Sequence, residues 1–167
     1  MRVVIRELEA TDSIDDLTEL LHEAYRPLGA MGLNYTAVDQ DSATTAKRIK
    51  RGQCLVAVLN GHIVGTITWY APGTVGQGSS WYRRSDVAAF GQFAVRPREQ
   101  GHGLGLTLMT EVERLAKLAG AAELALDTAE PATRLIDYYS RRGFRQVDTV
   151  QWNSKTYRSV IMSKSLR

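Results

Sequence analysis

The stretch Phe93-Ala94-Val95-Arg96-Pro97-Arg98-Glu99-Gln100-Gly101-His102-Gly103-Leu104-Gly105-Leu106 holds the residues best spaced for chemistry. A β-compatible run enters a glycine-rich turn, and the turn opens a helix. That helix keeps apolar residues at a 3.6-residue period: Leu104, Leu108, Val112, Leu115, Ala116 and Ala119. The first N–H groups of a helix lack internal partners, and its dipole places roughly half a positive charge there, so phosphate oxygens are well received. Glycine at 103 and 105 lets a pyrophosphate approach the backbone without meeting a Cβ atom. Leu104 and Leu106 are expected to offer N–H groups with their side chains turned to the core. Gln100, Gly101, His102, Gly103, Leu104, Gly105 and Leu106 are therefore the candidate anion-binding residues. The His102 side chain faces a phosphate or, more simply, solvent.

The spacing Gln/Arg-x-x-Gly-x-Gly recurs by chance in roughly one chain of this length in ten, so its setting between a strand and an amphipathic helix carries the weight. Other nucleotide fingerprints fit poorly. A Gly-x-Gly-x-x-Gly begun at Gly101 or Gly103 needs glycine where Leu106 or Leu108 stands, and there is no Gly-Lys-Ser/Thr. The one cysteine, Cys54, lies in an apolar run and reads as a small core residue rather than a nucleophile. It leaves no disulfide framework and no cysteine-based zinc site, and no metal is expected.

The elements that must position the loop follow from pattern. A short strand, Val3 to Arg6, precedes a helix from Ser13 to Arg26. Ser13 and Asp16 resemble a capping box, Ile14, Leu17, Leu20, Leu21 and Ala24 form a stripe, and Pro27 is expected to stop it. Leu28 to Asp39 reads as loop, and Asp41 to Arg51 as a second helix closed by Gly52. Cys54–Leu59, Asn60-Gly61 and Ile63–Tyr70 spell a hairpin, since Asn-Gly supplies the positive φ of a tight turn. Ala71 to Asp86 is a mobile, Gly- and Ser-rich excursion whose Trp81 and Tyr82 either line a pocket or anchor the loop. Val87–Val95 is a strand, Leu104–Ala119 a helix, Glu123–Asp127 a strand and Ala132–Arg141 a helix. Phe144–Trp152 and Tyr157–Ser163 form a last hairpin. The order implies one α/β domain over residues 1–167, a mixed sheet with helices on both faces.

Phe93-Ala94-Val95-x-Pro97, Gln100-x-x-Gly103-x-Gly105 and Tyr139-Ser140-Arg141-Arg142-Gly143-Phe144, taken together, resemble the acetyl-CoA signature of the GNAT superfamily of N-acetyltransferases. The element order matches along nearly the whole chain. The resemblance implies a mostly antiparallel central sheet with a splayed parallel strand pair at the acetyl-CoA site. It assigns Phe93, Ala94 and Val95 to the pantetheine arm by strand addition, and Gly101 to Leu106 to the pyrophosphate. Acetyl transfer to an amine needs a neutral amine and a proton for the departing thiolate. The resemblance places the proton donor at Tyr139, not its neighbour Tyr138. The helical pattern also allows a core role, because Ala132, Leu135, Ile136 and Tyr139 share a face.

Asp127 stands where relatives resembling the ribosomal-protein alanine acetyltransferases carry a glutamate base. It is one methylene shorter, and Ala132 replaces an asparagine frequent in the family. Asp127 is the candidate base, with water as the alternative and helix capping by Asp127 or Glu130 as the structural reading. The expected activity is direct transfer, in a ternary complex with acetyl-CoA, to a primary amine of a small molecule or a protein N-terminus. A non-catalytic acetyl-CoA sensor is the alternative. Arg141 and Arg142 are expected to be solvated charges at a helix end, and His22 and His62 surface positions.

Composition agrees with a globular protein: 167 residues, 44% hydrophobic, 23% charged and a net charge of +3. The charge is spread along the chain, which suits an anionic cofactor and argues against nucleic acid. No run approaches the roughly 18 apolar residues of a membrane helix, and the first residues lack a signal peptide's apolar region. A reducing cytoplasmic setting is the default expectation, with a homodimer left open.

Overall fold

The computed structural model describes residues 2–76 and 78–167, so Met1 at the chain start and Gln77 in the glycine-rich excursion lie outside the described residues. The strands are β1 (Val3–Glu7), β2 (Gln53–Leu59), β3 (His62–Tyr70), β4 (Val87–Val95), β5 (Glu123–Ala129), β6 (Arg145–Val150) and β7 (Ser159–Ser165). The helices are α1 (Ile14–Ala30), α2 (Thr36–Asp39), α3 (Ser42–Lys50), α4 (Leu104–Leu118) and α5 (Thr133–Ser140), with a 3-10 turn at Pro97–Glu99.

The strands form one sheet in the order β1-β2-β3-β4-β5-β7-β6. Every neighbouring pair is antiparallel except β4 and β5. The last hairpin thus enters the sheet through β7, which inserts beside β5. The β2–β3 turn uses Asn60 at φ 52° and Gly61 at φ 78°, the backbone that Asn-Gly was expected to supply.

Side chains alternate along β2. Leu55, Ala57 and Leu59 join Leu108, Met109 and Val112 of α4 and Tyr139 of α5 in the main core, whereas Cys54 and Val56 meet Leu17 of α1. Helices therefore cover both faces, as the period-2 burial of a central strand requires. Leu104, Leu108, Met109, Val112 and Ala116 are the buried positions of α4, and Ala119 lies exposed beyond its end. Cys54 is buried against Thr66, and burial raises its thiol pKa, as suits an inert core cysteine.

Ser13 caps α1 by accepting from the Asp16 amide at 3.1 Å. Pro27 does not end this helix, which runs on to Ala30. A proline removes one backbone bond, to the carbonyl four residues back, and the turn beyond it is held by other contacts. The amides of Met31 and Leu33 return to Leu28 O, and Leu33 packs into a cluster with Leu28. The Leu28–Asp39 segment is likewise not all loop, since it contains the end of α1 and all of α2. Within the excursion after β3, Tyr82 is buried and the Ser79 hydroxyl accepts from its amide, so that part is anchored to the sheet. Among the described residues no helix is long and apolar enough to cross a membrane.

Candidate active site

The strands β4 and β5 pair only at Val87↔Glu123, Ala88↔Leu124 and Ala89↔Ala125, then diverge. Phe90 to Val95 and Leu126 to Ala129 thus form the two arms of a V. A cleft of about 890 Å³ occupies the opening and is lined by residues of both arms. The β4 arm is bent by a bulge. Thr66 pairs with Ala94 and Thr68 with Gly91, so Ile67 faces both Gln92 and Phe93. Gln92 takes φ 46° there, an uncommon backbone for a non-glycine residue. A glycine inside a strand, Gly91, is the sequence signal for such a bulge.

One end of the cleft is the head of α4. Gly103 is its N-cap in the left-handed region at φ 81°, and a Cβ there would have none of the described residues within 4 Å. The first backbone bond of the helix is Thr107 N to Gly103 O. Among the described residues, the amides of Gly101, His102, Gly103, Leu104, Gly105 and Leu106 have no acceptor in the protein. Exposed donors, a dipole and an open cradle together fit a pyrophosphate. Three side chains of this loop take positions that the spacing did not specify. Gln100 Nε2 donates to Val95 O at 3.0 Å, tying the loop to β4. The His102 side chain is exposed and does not line the cleft. Leu104 is buried as expected, but Leu106 is 47% exposed and lines the cleft rather than the core. Gly105 serves packing: a Cβ would stand 3.1 Å from Tyr138 Oη and 3.2 Å from Phe93.

At the apex, the Tyr139 ring packs edge-on against Phe90, Phe144 and Tyr138. The residue lines the cleft, and among the described residues its hydroxyl has no hydrogen-bond partner. Burial first, then the neighbouring tyrosines, push its pKa well above the usual phenol value. The core reading and the cleft reading of Tyr139 therefore hold together: the ring is core and the hydroxyl is free. Tyr138 lies under Arg142, whose guanidinium carbon is 3.4 Å from the ring centroid and whose Nη1 donates to Tyr138 O. Arg142 is thus stacked, half-buried and cleft-lining rather than solvated. Arg141 is exposed and pairs with Asp137 at 2.9 Å.

Asp127 lies within β5, which continues to Ala129, and its carboxylate opens to the cleft. Tyr82 Oη donates to its Oδ1 at 2.7 Å and Trp152 Nε1 to its Oδ2 at 3.0 Å. The N-cap of α5 is Ala132 with no side-chain bond, and Glu130 pairs with Arg158, so neither acid caps this helix. Tyr82 both lines the cleft and anchors the loop. Burial, then the Asp127 charge and bond, hold its phenol well above its ordinary pKa.

The remaining wall comes from residues that the sequence pattern left unmarked. Tyr25 donates to Phe93 O at 3.1 Å, and burial pushes its pKa up to about 12. Its place on α1, in step with Leu21, was the available signal. The Tyr35 hydroxyl accepts from the Ala129 amide and bonds Thr128 Oγ1. Tyr157 packs against Tyr35 at 5.3 Å. Arg48, Arg51 and Lys155 supply positive charge. His22 is not a surface position: it is half-buried, with Nε2 2.6 Å from Gln40 O. His62 is exposed. Among the described residues no three His, Cys, Asp or Glu side chains gather to hold a metal.

Comparison with known proteins bears on this arrangement. The chain is 29% identical over 160 residues to the S-(2-succino)cysteine N-acetyltransferase of Bacillus subtilis (strain 168), covering 92% of this chain and 90% of that one. It is 27% identical over 146 residues to the S-alkylcysteine N-acetyltransferase of the same organism, covering 84% and 78%. A solved GNAT family acetyltransferase from Elizabethkingia anophelis with acetyl-CoA bound has the same fold, with a TM-score of 0.69 at 18% identity over 98% of this chain and 97% of that one. The acetyltransferase (GNAT) family matches residues 14–144, from the first helix through the Gly-Phe pair after α5. The chain therefore belongs to the acetyltransferase (GNAT) family, a family of N-acetyltransferases.

Proposed function

We propose that the chain acetylates a primary amine with acetyl-CoA by direct transfer in a ternary complex. The observation that carries the reading is one cleft with two features: unpaired backbone amides from Gly101 to Leu106 at one end, and the free Tyr139 hydroxyl at the apex. Acetyl-CoA supplies a thioester as acyl donor. In this reading the loop amides hold the pyrophosphate. The unpaired arm of β4 at Phe93, Ala94 and Val95 offers backbone groups to the pantetheine amides. Phe93 O already accepts from Tyr25 and Val95 O from Gln100 Nε2, so each of these carbonyls has one lone pair left for that role.

The residues then divide the proton work. The acceptor nitrogen must lose a proton before or as its N–C bond forms. An alkyl ammonium of pKa about 10 is neutral in only about one molecule in a thousand at pH 7. Asp127 is the acid in the cleft beside which an ammonium would rest. Each of its oxygens accepts one bond from Tyr82 or Trp152 and keeps a lone pair free, so it takes the proton directly or through a water. As the C–S bond breaks, Tyr139 passes its hydroxyl proton to the sulfur, and the second proton shed by the newly acylated nitrogen restores the phenol through water. The raised phenol pKa suits this role, because the hydroxyl keeps its proton throughout the neutral range.

The named relatives act on S-substituted cysteines, so the α-amino group of an S-substituted cysteine is the first acceptor to try. Release of free CoA is followed with a thiol reagent across a panel of such cysteines, other amino acids, polyamines and peptide N-termini. Mass spectrometry of the product locates the acetyl group. Acceptor-dependent release with an N-acetylated product is expected. Acetyl-CoA binding with no release on any amine contradicts the reading and favours a sensor.

A further inference from the structure

Building on that reading of the cleft, we propose that the acceptor is an acidic amino acid derivative. Its ammonium faces Asp127, and its carboxylates, a side-chain carboxylate among them, are held by an arc of Arg48, Arg51 and Lys155 ending at the Gln92 amide.

The charged groups lining the cleft are Arg48, Arg51, Arg142, Lys155, Glu99 and Asp127. Arg142 is stacked on Tyr138 beside α4, and Glu99 belongs to the turn before the glycine loop, which leaves three cations and one carboxylate on the acceptor side. Among the described residues none of these three cations is in an ion pair. Arg48 Nη1 donates to the neutral Gln40 Oε1 at 2.8 Å, and Lys155 Nζ to Asn34 O and Thr36 Oγ1. Arg51 lies 5.8 Å from the Tyr70 ring centroid, with no hydrogen bond from its guanidinium among the described residues. The charges of Arg48 and Asp127 act with opposite sign on the same four groups, Tyr25, Tyr70, Tyr157 and Lys155. Arg48 and Asp127 line the same cleft.

A second observation points the same way. Arg48 fixes the Gln40 amide, and Gln40 Nε2 donates at 2.7 Å both to Thr45 Oγ1 and to Gln92 Oε1. The chain of bonds orients Gln92 so that Nε2 is left over. That nitrogen is buried in a side chain only 3% exposed, on a residue that lines the cleft at the β4 bulge, and among the described residues it has no partner. A buried donor left unpaired is costly, and an oxygen of the ligand would satisfy it. An amine without an acid group would leave that donor and the three cations unanswered. An α-carboxylate answers one cation, and a second carboxylate answers the remainder. Charge-assisted bonds are about twice as strong as neutral ones, so the difference should be large in kcat/KM.

The test compares S-carboxymethylcysteine with its side-chain amide, S-carbamoylmethylcysteine, a pair of near-equal shape that differs in charge. The wild-type protein is expected to favour the acid by about tenfold or more in kcat/KM, the order of one charge-assisted bond. Arg51→Gln removes no hydrogen bond seen among the described residues, and is expected to collapse most of that preference with the KM for acetyl-CoA unchanged. Arg51→Lys, which keeps the charge, should restore part of it. Equal kcat/KM for acid and amide, with turnover intact, overturns the proposal and leaves amine acetylation standing. An Arg51→Gln variant that keeps the full preference also overturns it. If neither acceptor nor any other amine releases CoA, the parent reading fails and this one with it.

Discussion

Tyr82 donates its hydroxyl proton to Asp127 Oδ1 at 2.7 Å, joining the loop after β3 to the open arm of β5. Trp152, in the segment between β6 and β7, completes the grip at Oδ2 and stacks beside Tyr82 at 6.5 Å. Asp127 is thus an organiser of this wall of the cleft as well as the proposed base, and a substitution there bears on both roles.

Asp127→Asn is expected to lower turnover at neutral pH by about ten- to a hundredfold and to recover partly as pH rises toward the amine's own pKa of about 10. An asparagine keeps one acceptor oxygen for Trp152 Nε1, and its Nδ2 can donate to the Tyr82 hydroxyl, so both contacts can be kept while the charge is removed. Trp152→Phe removes one donor while keeping the charge, and should change the acceptor KM without changing the pH profile. A pH-rate profile for Asp127→Asn that overlays the parent's would assign the proton to water.

Gly103→Val is expected to weaken acetyl-CoA binding by at least tenfold in calorimetry. At φ 81° any L side chain strains the backbone by about 1–2 kcal/mol, and the side chain also enters the cradle where the amides are unpaired. The fold should survive, since none of the described residues lies within 4 Å of the added Cβ. Binding as tight as the parent's would put the pyrophosphate elsewhere.

Burial raises the phenol pKa of Tyr25, Tyr35, Tyr82, Tyr139 and Tyr157. An unfolded chain releases these protons near pH 10, earlier than the folded one. Stability from this source is therefore fully present below about pH 10 and is lost as pH rises through the folded values. The Tm should be level in this respect from pH 8 to 9.5 and then fall steeply. A Tm that holds constant to pH 11 would contradict the burial of these hydroxyls.

Periodicity and turn chemistry made most of the fold legible: the Asn60-Gly61 hairpin, the α4 stripe and the strand Val87–Val95 stand where the pattern placed them. The glycine loop was legible because helix starts have a fixed backbone logic. What stayed hidden was non-local. Pro27 is a local stop signal overridden by contacts at Leu28 and Leu33. Leu106 carries an apolar name on an exposed face. The cleft wall draws Tyr25, Arg48, Tyr82, Asp127 and Lys155 from separate segments, and no spacing within any one of them announces the others. The bonds from Tyr82 and Trp152 to Asp127 depend on how loops return over the sheet, which one-dimensional pattern does not encode.

The central claim is that the free hydroxyl at the apex of the cleft supplies the proton to the leaving thiolate, and steady-state CoA release by Tyr139→Phe measured beside Tyr138→Phe tests it most directly. Tyr139→Phe should keep the fold, with its ring still packed on Phe90 and Phe144, and keep acetyl-CoA affinity by calorimetry. Its turnover should fall roughly 10²- to 10⁴-fold, the usual share of a general acid, while Tyr138→Phe loses far less. Equal, small losses in the two variants would make Tyr139 a packing residue and contradict the account.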